Sequence, residues 1–323
     1  MSHETAAARL NRANLPRHLA VIMDGNGRWA RQRGLPRIEG HRAGAKAVDE
    51  AVSFCRYLGI GALTLYSFSK ENWKRPEDEV GALMGILKSY IARELDRMLR
   101  EDIRFNVIGV RADLPAFARE AVEEAMERTR HAQGMTLTLA LSYGSRDEIV
   151  RAARSLASDA AAGRMAPEAV TEEAFAARLD TAGLPDPDLL IRTSGELRVS
   201  NFLLWQLAYT EFYFTPRLWP DIGADDIADA ILAYQTRERR FGGSSASVAS
   251  GRSFRSTGDS PHASRCGRVG AGSSAVSPWA GASGLLPNIP LNSLPKRPAP
   301  CAFRSPGRSG PSEASNTDPH FTH

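Results

Sequence analysis

Short apolar runs alternate with longer amphipathic segments along residues 15–242. The short runs carry branched and aromatic side chains, which is typical of buried strands. The longer segments repeat their apolar residues at helical spacing, which predicts helices that each bury one face. The predicted strands are 18–23, 62–67, 104–109, 136–141, 188–193 and 211–214, and the predicted helical segments are 40–59, 77–102, 114–132 and 145–163.

This alternation predicts an α/β fold, with a mostly parallel central sheet of about six strands flanked by helices on both faces. Sheets of this kind bind ligands beyond the carboxyl ends of their strands. Asp24 follows the first predicted strand, Ser69 follows the second, and Arg192 ends the fifth. We therefore expect the functional site at this edge of the sheet.

The composition changes sharply after residue 242. Residues 243–323 are rich in Ser, Gly, Pro, Ala and Arg and lack helical or strand periodicity. Such a segment buries too little apolar surface to offset its ordering entropy, which predicts a disordered low-complexity tail. Residues 1–14 are expected to be a flexible N-terminus, so the predicted folded domain spans 15–242.

The positive net charge of +4 comes from the tail. From residue 241 onward there are eight Lys and Arg against three Asp and Glu. Residues 1–240, which we call the body, therefore contain 33 basic and 34 acidic residues. The body therefore gives no general electrostatic case for a nucleic-acid partner. Only Cys55 of the three cysteines lies there, which argues against a disulfide framework. The absence of an apolar leader at the N-terminus and of a long apolar run predicts a cytoplasmic protein.

The stretch VIMDGNGRWA at 21–30 combines a carboxylate, two glycines and a guanidinium. Gly25 and Gly27 would let backbone N–H groups approach phosphate oxygens, and Arg28 could bind a phosphate through two hydrogen bonds. Asp24 would repel a diphosphate unless Mg²⁺ lay between them. A simple Gly-Asn-Gly turn capped by Asp24 fits this stretch equally well.

Two other motif matches are weak. GNGRWA fits the dinucleotide fingerprint, but the acid expected after the second strand is missing, because Asp49 and Glu50 fall within a helical segment. DDIAD at 225–229 fits the aspartate-rich metal motif of all-helical prenyl synthases, which carry two such motifs. Here there is one, and acids that begin a helical run are favoured by the helix dipole.

Three further stretches complete a pattern: SFSKENWKRPEDEV (67–80), IRTSGELRVSNFLLWQ (191–206) and YTEFYFTPRLWPD (209–221). Together with HLAVIMDGNGRWA and GHRAG, they closely resemble the cis-prenyltransferase family of the undecaprenyl diphosphate synthase type. The resemblance implies a transferase that elongates an allylic diphosphate, expected to be farnesyl diphosphate, by sequential cis-condensation with isopentenyl diphosphate. The product would be a polyprenyl diphosphate carrier lipid for cell-wall glycan synthesis.

The resemblance also implies a Mg²⁺ cofactor, a hydrophobic tunnel, a homodimer and transient membrane contact through the lipid product. A catalytically inactive relative with the same fold is the main alternative, but it should lack residues of the active centre. This chain retains the whole set: Asp24, Arg28, Asn72, Arg192, Arg198 and Glu211. A nicotinamide-dependent enzyme is a further alternative, supported only by the weak fingerprint.

Residue roles follow from the resemblance position by position. Asp24 and Glu211 would bind Mg²⁺, and Asp24 and Asn72 would act in catalysis, Asn72 by helping to remove a proton. The allylic substrate would be held by Gly25, Asn26, Gly27, Arg28, Trp29, Arg37 and His41, with Trp29 over the first isoprene unit. A loop closing over both substrates would contribute Ser69, Lys70, Glu71, Trp73 and Arg75. Isopentenyl diphosphate would be bound by Arg192, Arg198, Val199 and Ser200.

The helical run 80–99 is expected to form core, and in the family the corresponding helix also lines the tunnel. Its small residues Gly81, Ala82 and Gly85 would leave room for a growing chain. One stretch departs from the family pattern: residues 142–146 read Ser-Tyr-Gly-Ser-Arg where many members have Asn-Tyr-Gly-Gly-Arg. No role is carried over to that stretch.

Overall fold

The computed structural model describes residues 3–237, so the predicted tail lies outside the described residues. Within this range the strands are β1 (His18–Ile22), β2 (Ala62–Ser69), β3 (Ile103–Ile108), β4 (Met135–Tyr143), β5 (Leu189–Arg192) and β6 (Glu211–Phe214). They form a six-stranded sheet in the order β3-β4-β2-β1-β5-β6, and each neighbouring pair is parallel. The predicted parallel α/β fold is confirmed.

The helices of the described chain are α1 (His3–Ala7), α2 (Asn26–Gln32), α3 (Arg37–Leu58), α4 (Glu77–Arg100), α5 (Ala116–Arg128), α6 (Ser145–Ala161), α7 (Glu172–Ala176) and α8 (Ala224–Gln235). The four helical segments predicted from periodicity correspond to α3–α6. Asp225 and Asp226 lie in the first turn of α8, as the helix-start interpretation predicts.

Proline residues begin the two longest helices, and a glycine ends one of them. Pro36 and Pro76 are the N-cap residues of α3 and α4, with φ values of −54° and −51°. Because the proline ring fixes φ, the chain enters each helix in one defined direction. At the other end, α3 stops at Gly59, whose φ of 80° reverses the backbone as only glycine does readily.

Apolar side chains cover both faces of the sheet. Leu19 and Val21 of β1 belong to the larger core, which includes side chains of α3, α4, α5 and α8. Ala20 and Ile22 belong to a smaller core on the opposite face, together with Phe202. This alternation follows from the two-residue period of a strand, and burial on both sides explains the nearly continuous apolar runs in the sequence.

The N-terminal residues differ from the prediction of a flexible segment. Residues 3–7 form α1, and Ala6 and Ala7 are buried against the main core. Arg9, just beyond α1, forms an ion pair with Asp229 of α8. The small alanine side chains allow close approach to the domain, but five residues are too few to show a helical period in the sequence.

Neither a membrane-spanning helix nor a reactive cysteine is found in the described part of the chain. Among residues 3–237, no helix combines the length and apolar character needed to cross a bilayer. Cys55 is fully buried, and burial raises the pKa of its thiol to about 12, so it is an unreactive core residue.

Candidate active site

A cavity of about 940 Å³ lies where β1, β2 and β5 end, bounded also by α2, α3 and α4. Its lining divides into two chemically different parts. We call the first the charged wall, and its ionic residues are Asp24, Arg28, Arg31, Arg37, Glu71, Arg75 and Arg192. We call the second the apolar wall, formed by Ala45, Val48, Phe68, Leu83, Met84, Ile86, Leu87, Leu139 and Leu141. The cavity can therefore take a ligand with an anionic head and a hydrocarbon tail.

Asp24 is fixed through its backbone just beyond β1. Its N–H donates to Thr193 Oγ1 at 2.9 Å, and its carbonyl oxygen accepts from the Trp219 N–H at 3.0 Å. The carboxylate accepts a 3.0 Å hydrogen bond from Arg192 Nη2 and lies 3.6 Å from Arg28 Nη2. The side chain keeps 30% of its surface exposed, so a ligand can reach it from the cavity.

The two glycines of the 24–28 turn allow close packing. Gly25 has φ = 107°, and a Cβ there would lie 2.9 Å from a Leu218 side-chain carbon. This conformation starts α2 directly after β1 and brings Arg28 back over Asp24. At Gly27, a Cβ would lie 3.1 Å from Arg37 Nε, so the glycine leaves room for that guanidinium. Asn26 donates to Met23 O at 3.3 Å, and its buried Oδ1 has no partner within the described chain.

Arg192 is a deeply buried cation of the charged wall, with 3% of its side chain exposed, and it is held by several hydrogen bonds. Besides Asp24, it donates to Ser200 Oγ at 2.7 Å and to the backbone oxygen of Arg198. Ser200 has φ = 49°, which turns its hydroxyl toward the guanidinium. The Arg198 side chain is 60% exposed and does not line the cavity, and Val199 packs against the smaller core.

A second basic group surrounds Glu79 at the start of α4. Glu79 Oε1 lies 3.2 Å from Arg37 Nε and accepts from Arg75 Nη1 at 3.0 Å. His41 lines the cavity next to them. Its burial, helped by the charges of Arg75 and Arg37, lowers the pKa of the imidazole to about 4. His41 is therefore neutral at pH 7 and adds hydrogen-bonding capacity without further positive charge.

The segment predicted to be a covering loop is a 3₁₀ helix, Lys70–Lys74. The physical reason is a cap: the Ser69 N–H donates to Asn72 Oδ1 at 3.0 Å, and the Ser69 side chain accepts in return. Asn72 is thus engaged by its own turn. The residues of this segment that line the cavity are Ser69, Glu71, Asn72 and Arg75.

Several predicted binding residues lie outside the cavity lining. Lys70 points to α6, where it pairs with Asp147 at 2.9 Å. Trp73 donates its indole N–H to Ser142 Oγ at 2.9 Å. Trp29, expected over the first isoprene unit, instead donates to Asp221 at 2.7 Å.

The small residues of α4 that were expected to leave room for a growing chain also lie outside the cavity lining. A Cβ added at Gly81 or Gly85 would have no neighbour within 4 Å, and neither glycine lines the cavity, nor does Ala82. Because the cavity faces the Leu83, Met84 and Leu87 side of α4, the glycines lie on another face of the same helix.

Glu211 is far from Asp24 within this chain. It begins β6 and pairs with Leu189, whereas Arg192 and Phe214 pair at the carboxyl edge. Three residues of strand therefore separate Glu211 from that edge, about 10 Å at the usual rise. Its carboxylate accepts from Arg237 Nη1 at 2.6 Å. Among residues 3–237, no group of three or more His, Cys, Asp and Glu side chains is arranged to hold a metal. The predicted two-carboxylate metal site is not assembled here.

The cavity lining also includes polar residues that were not predicted from the sequence, among them Arg31 and Asn201. Arg31 follows Arg28 by one turn of α2, a spacing that could have identified it. Asn201 has φ = 62° and links two segments: its side chain donates to Glu71 Oε1 at 3.1 Å and accepts from the Arg146 N–H at 2.9 Å. No local sequence pattern reveals such long-range partners.

The stretch that departs from the family pattern supports the site from behind. Ser142 donates to Asp113 Oδ2 at 2.6 Å while accepting the indole N–H of Trp73. Ser145 donates its backbone N–H to the Asn201 carbonyl at 2.8 Å, and its hydroxyl accepts from the Leu204 N–H at 2.9 Å. Both serines therefore make hydrogen bonds that hold cavity-lining segments in place.

Comparison with known proteins agrees with this geometry. Residues 22–242 match a family model described as "Putative undecaprenyl diphosphate synthase". An isoprenyl transferase of Geobacter sulfurreducens is 58% identical over 72% of this chain and 95% of its own length. An isoprenyl transferase of Agrobacterium fabrum is 53% identical over 74% of this chain and 96% of its own.

Solved structures show the same relationship. Lavandulyl diphosphate synthase from Lavandula x intermedia, crystallised with dimethylallyl diphosphate, superposes with a TM-score of 0.70 at 39% identity. A probable undecaprenyl diphosphate synthase from Campylobacter jejuni gives a TM-score of 0.59 at 34% identity. Each match covers 71% of this chain and 99% of the other. The chain is a prenyltransferase and belongs to the cis-prenyltransferase family of the undecaprenyl diphosphate synthase type.

Proposed function

We propose that this prenyltransferase elongates farnesyl diphosphate by sequential cis-condensation with isopentenyl diphosphate in a Mg²⁺-dependent reaction. The proposed product is a polyprenyl diphosphate that serves as a lipid carrier in cell-wall glycan synthesis. The observation that carries the proposal is that the charged wall and the apolar wall belong to the same cavity. An allylic diphosphate has the same two parts, an anionic head and a hydrocarbon tail.

The proposal assigns the allylic diphosphate to the part of the charged wall between α2 and α3. Arg28 and Arg37 present guanidinium groups there, and such groups bind phosphate oxygens through paired hydrogen bonds. Neutral His41 adds a hydrogen-bonding group beside them. Positive charge is concentrated at this wall, where the headgroup of the substrate would lie.

Isopentenyl diphosphate is assigned to Arg192, Arg198 and Ser200. Arg192 and Ser200 already share a 2.7 Å hydrogen bond, so a dianionic headgroup would meet a preformed donor pair. Arg192 also bonds to Asp24. A phosphate that accepts hydrogen bonds from the Arg192 guanidinium would replace Asp24 as its partner. The Asp24 carboxylate would then be available to bind a cation.

The donor set at Asp24 fits a magnesium ion that arrives with its substrate. Mg²⁺ in proteins is commonly held by one or two carboxylates together with substrate phosphates and water. Asp24 supplies one partly exposed carboxylate beside the proposed phosphate site. When bound, Mg²⁺ would neutralise negative charge that develops on the departing diphosphate.

The apolar wall would hold the hydrocarbon chain and exclude water. Leu83, Met84 and Leu87 of α4 line the cavity together with Leu139 and Leu141 of β4. Exclusion of water matters because a carbocation-like allyl group would otherwise be captured as an alcohol. Asn72 lies in the same cavity, and we assign it to positioning near the proton that is lost, since a neutral amide is a weak base.

The proposal also includes a homodimer that works in the cytoplasm and contacts the membrane transiently through its lipid product. These parts rest on the family resemblance. Light scattering of the purified chain tests the dimer, and flotation with vesicles after turnover tests the membrane contact.

The central test is product formation by the full chain. Incubation with farnesyl diphosphate, radiolabelled isopentenyl diphosphate and Mg²⁺ should yield a long, solvent-extractable prenyl chain. Addition of EDTA should stop incorporation, and added Mg²⁺ should restore it. Thin-layer chromatography of the dephosphorylated product measures chain length. Failure of folded protein to incorporate label would contradict the proposal, and incorporation in EDTA would contradict its metal dependence.

A further inference from the structure

Five side chains form a row of alternating charge that begins outside the cavity and continues into the charged wall. They are Arg198 and Glu196 outside the lining, followed by Arg28, Asp24 and Arg192 of the charged wall. Glu196 Oε1 lies 3.3 Å from Arg28 Nη2, and Glu196 Oε2 pairs with Arg198 Nη1. Arg28 Nη2 lies 3.6 Å from Asp24 Oδ1, and Asp24 Oδ2 accepts a hydrogen bond from Arg192 Nη2 at 3.0 Å. A single carboxylate, Glu196, therefore contacts one arginine assigned to each diphosphate.

Glu196 acts from behind the wall. It does not line the cavity, although Arg28 does, and 31% of its side chain is exposed. It follows a tight turn in which Ser194 and Gly195 have φ values of 80° and 75°. This turn is held on both sides, because Ser194 O accepts from Arg28 Nη1 at 3.1 Å and the Ser194 N–H donates to Arg217 O at 2.7 Å.

We propose that Glu196 is a positioning residue shared by the two diphosphate sites. This inference rests on the proposed function. The carboxylate of Glu196 would orient the guanidinium groups of both Arg28 and Arg198. Two guanidinium groups this close repel each other unless an anion lies between them. A long side chain that is already oriented also loses less conformational freedom when it binds its ligand. Loss of the shared carboxylate should therefore weaken both sites together.

The test measures KM for each substrate separately in the full-length protein. Glu196→Gln keeps the size of the side chain but removes its charge, and we expect KM for both substrates to rise about five- to tenfold, as loss of a charge-assisted hydrogen bond at each site predicts. Turnover at saturation should change less than about twofold, since Glu196 does not touch the reacting atoms. Glu196→Asp, which keeps the charge on a shorter stem, should restore part of the affinity.

Asp159 provides a matched control. Its carboxylate also bridges two arginines, Arg164 and Arg178, but it does not line or adjoin the cavity. Asp159→Asn should leave both KM values unchanged. Arg28→Gln and Arg198→Gln serve as references, since each should raise KM mainly for its own substrate.

The outcomes separate this inference from the function on which it rests. If the two arginine variants each raise one KM but Glu196→Gln raises neither, or only one, the shared role of Glu196 is refuted. A fall in turnover with unchanged KM would refute it as well. If neither arginine variant alters a KM, the assignment of the substrates is wrong, and the inference fails with it.

Discussion

The two edges of the sheet use similar charged residues for opposite purposes. At the amino edge, the buried Asp188 carboxylate accepts three hydrogen bonds from Arg17, between 2.8 and 3.3 Å. His18 is bonded through both ring nitrogens, to Pro185 O and Thr64 Oγ1. At the carboxyl edge, Asp24 and Arg192 are also paired, but they face a cavity. Charged groups saturated by their own chain stabilise the fold, whereas those facing the cavity remain accessible to a ligand.

Substitution of Asp24 should have the largest effect on activity. Asp24→Asn preserves shape but removes the negative charge proposed to recruit Mg²⁺. We expect turnover to fall at least about 100-fold, the usual scale for loss of a group that stabilises transition-state charge. Initial rates of label incorporation measure the effect, with circular dichroism to confirm folding. A rate within tenfold of the unsubstituted protein would remove Asp24 from the mechanism.

Arg192→Lys should have the next largest effect. Arg192 donates to Asp24, Ser200 and the Arg198 backbone at once, and an ammonium group cannot reproduce that geometry. We expect KM for isopentenyl diphosphate to rise about 10- to 100-fold, corresponding to the loss of one or two charge-assisted hydrogen bonds. An unchanged KM would show that the headgroup binds elsewhere.

Asp188→Asn tests the amino edge. The substitution weakens three hydrogen bonds to Arg17 but lies at the opposite end of β5 from the cavity. We expect the free energy of unfolding to fall by about 1–3 kcal/mol and turnover per folded molecule to stay the same. Urea unfolding and initial rates measure the two quantities. Loss of activity without loss of stability would contradict the division between the edges.

His41 should make stability depend on pH. Burial, with Arg75 and Arg37, lowers its pKa to about 4 from 6.5, so the unfolded chain takes up the proton first as pH falls. Stability from this group is therefore complete above pH 6.5 and is lost progressively toward pH 4, by at most about 3 kcal/mol. His41→Gln should flatten the slope of unfolding free energy across this window. An unchanged slope would show that His41 is not the group responsible.

The sequence predicts the sheet well because nearly all residues of β1, β4 and β5 are buried, which gives continuous apolar runs. All six strands begin within one residue of the predicted start, and all but β2 and β4 end within one residue of the predicted end. The prolines before α3 and α4 mark where those helices begin. The α2 helix was not delimited, because seven residues between glycine-rich turns give too short a period.

The residues of the site could be predicted better than their partners. Asp24 and Arg192 follow from the rule that parallel sheets bind ligands at their carboxyl edge. Their pairing joins residues 168 positions apart, and no local pattern encodes it. The same limit explains why the Trp29 indole donates to Asp221 and why Glu211 lies at the amino edge of the sheet. A motif shows which residue types are present, but the three-dimensional fold decides which of them lie close together.

A crystal structure of the full chain with farnesyl thiodiphosphate, isopentenyl diphosphate and Mg²⁺ tests the central claim most directly. We expect the allylic headgroup beside Arg28 and Arg37, the second headgroup beside Arg192, and the farnesyl chain along Leu83 and Leu87. Headgroups bound at the amino edge of the sheet, or a farnesyl chain outside the cavity, would contradict the account.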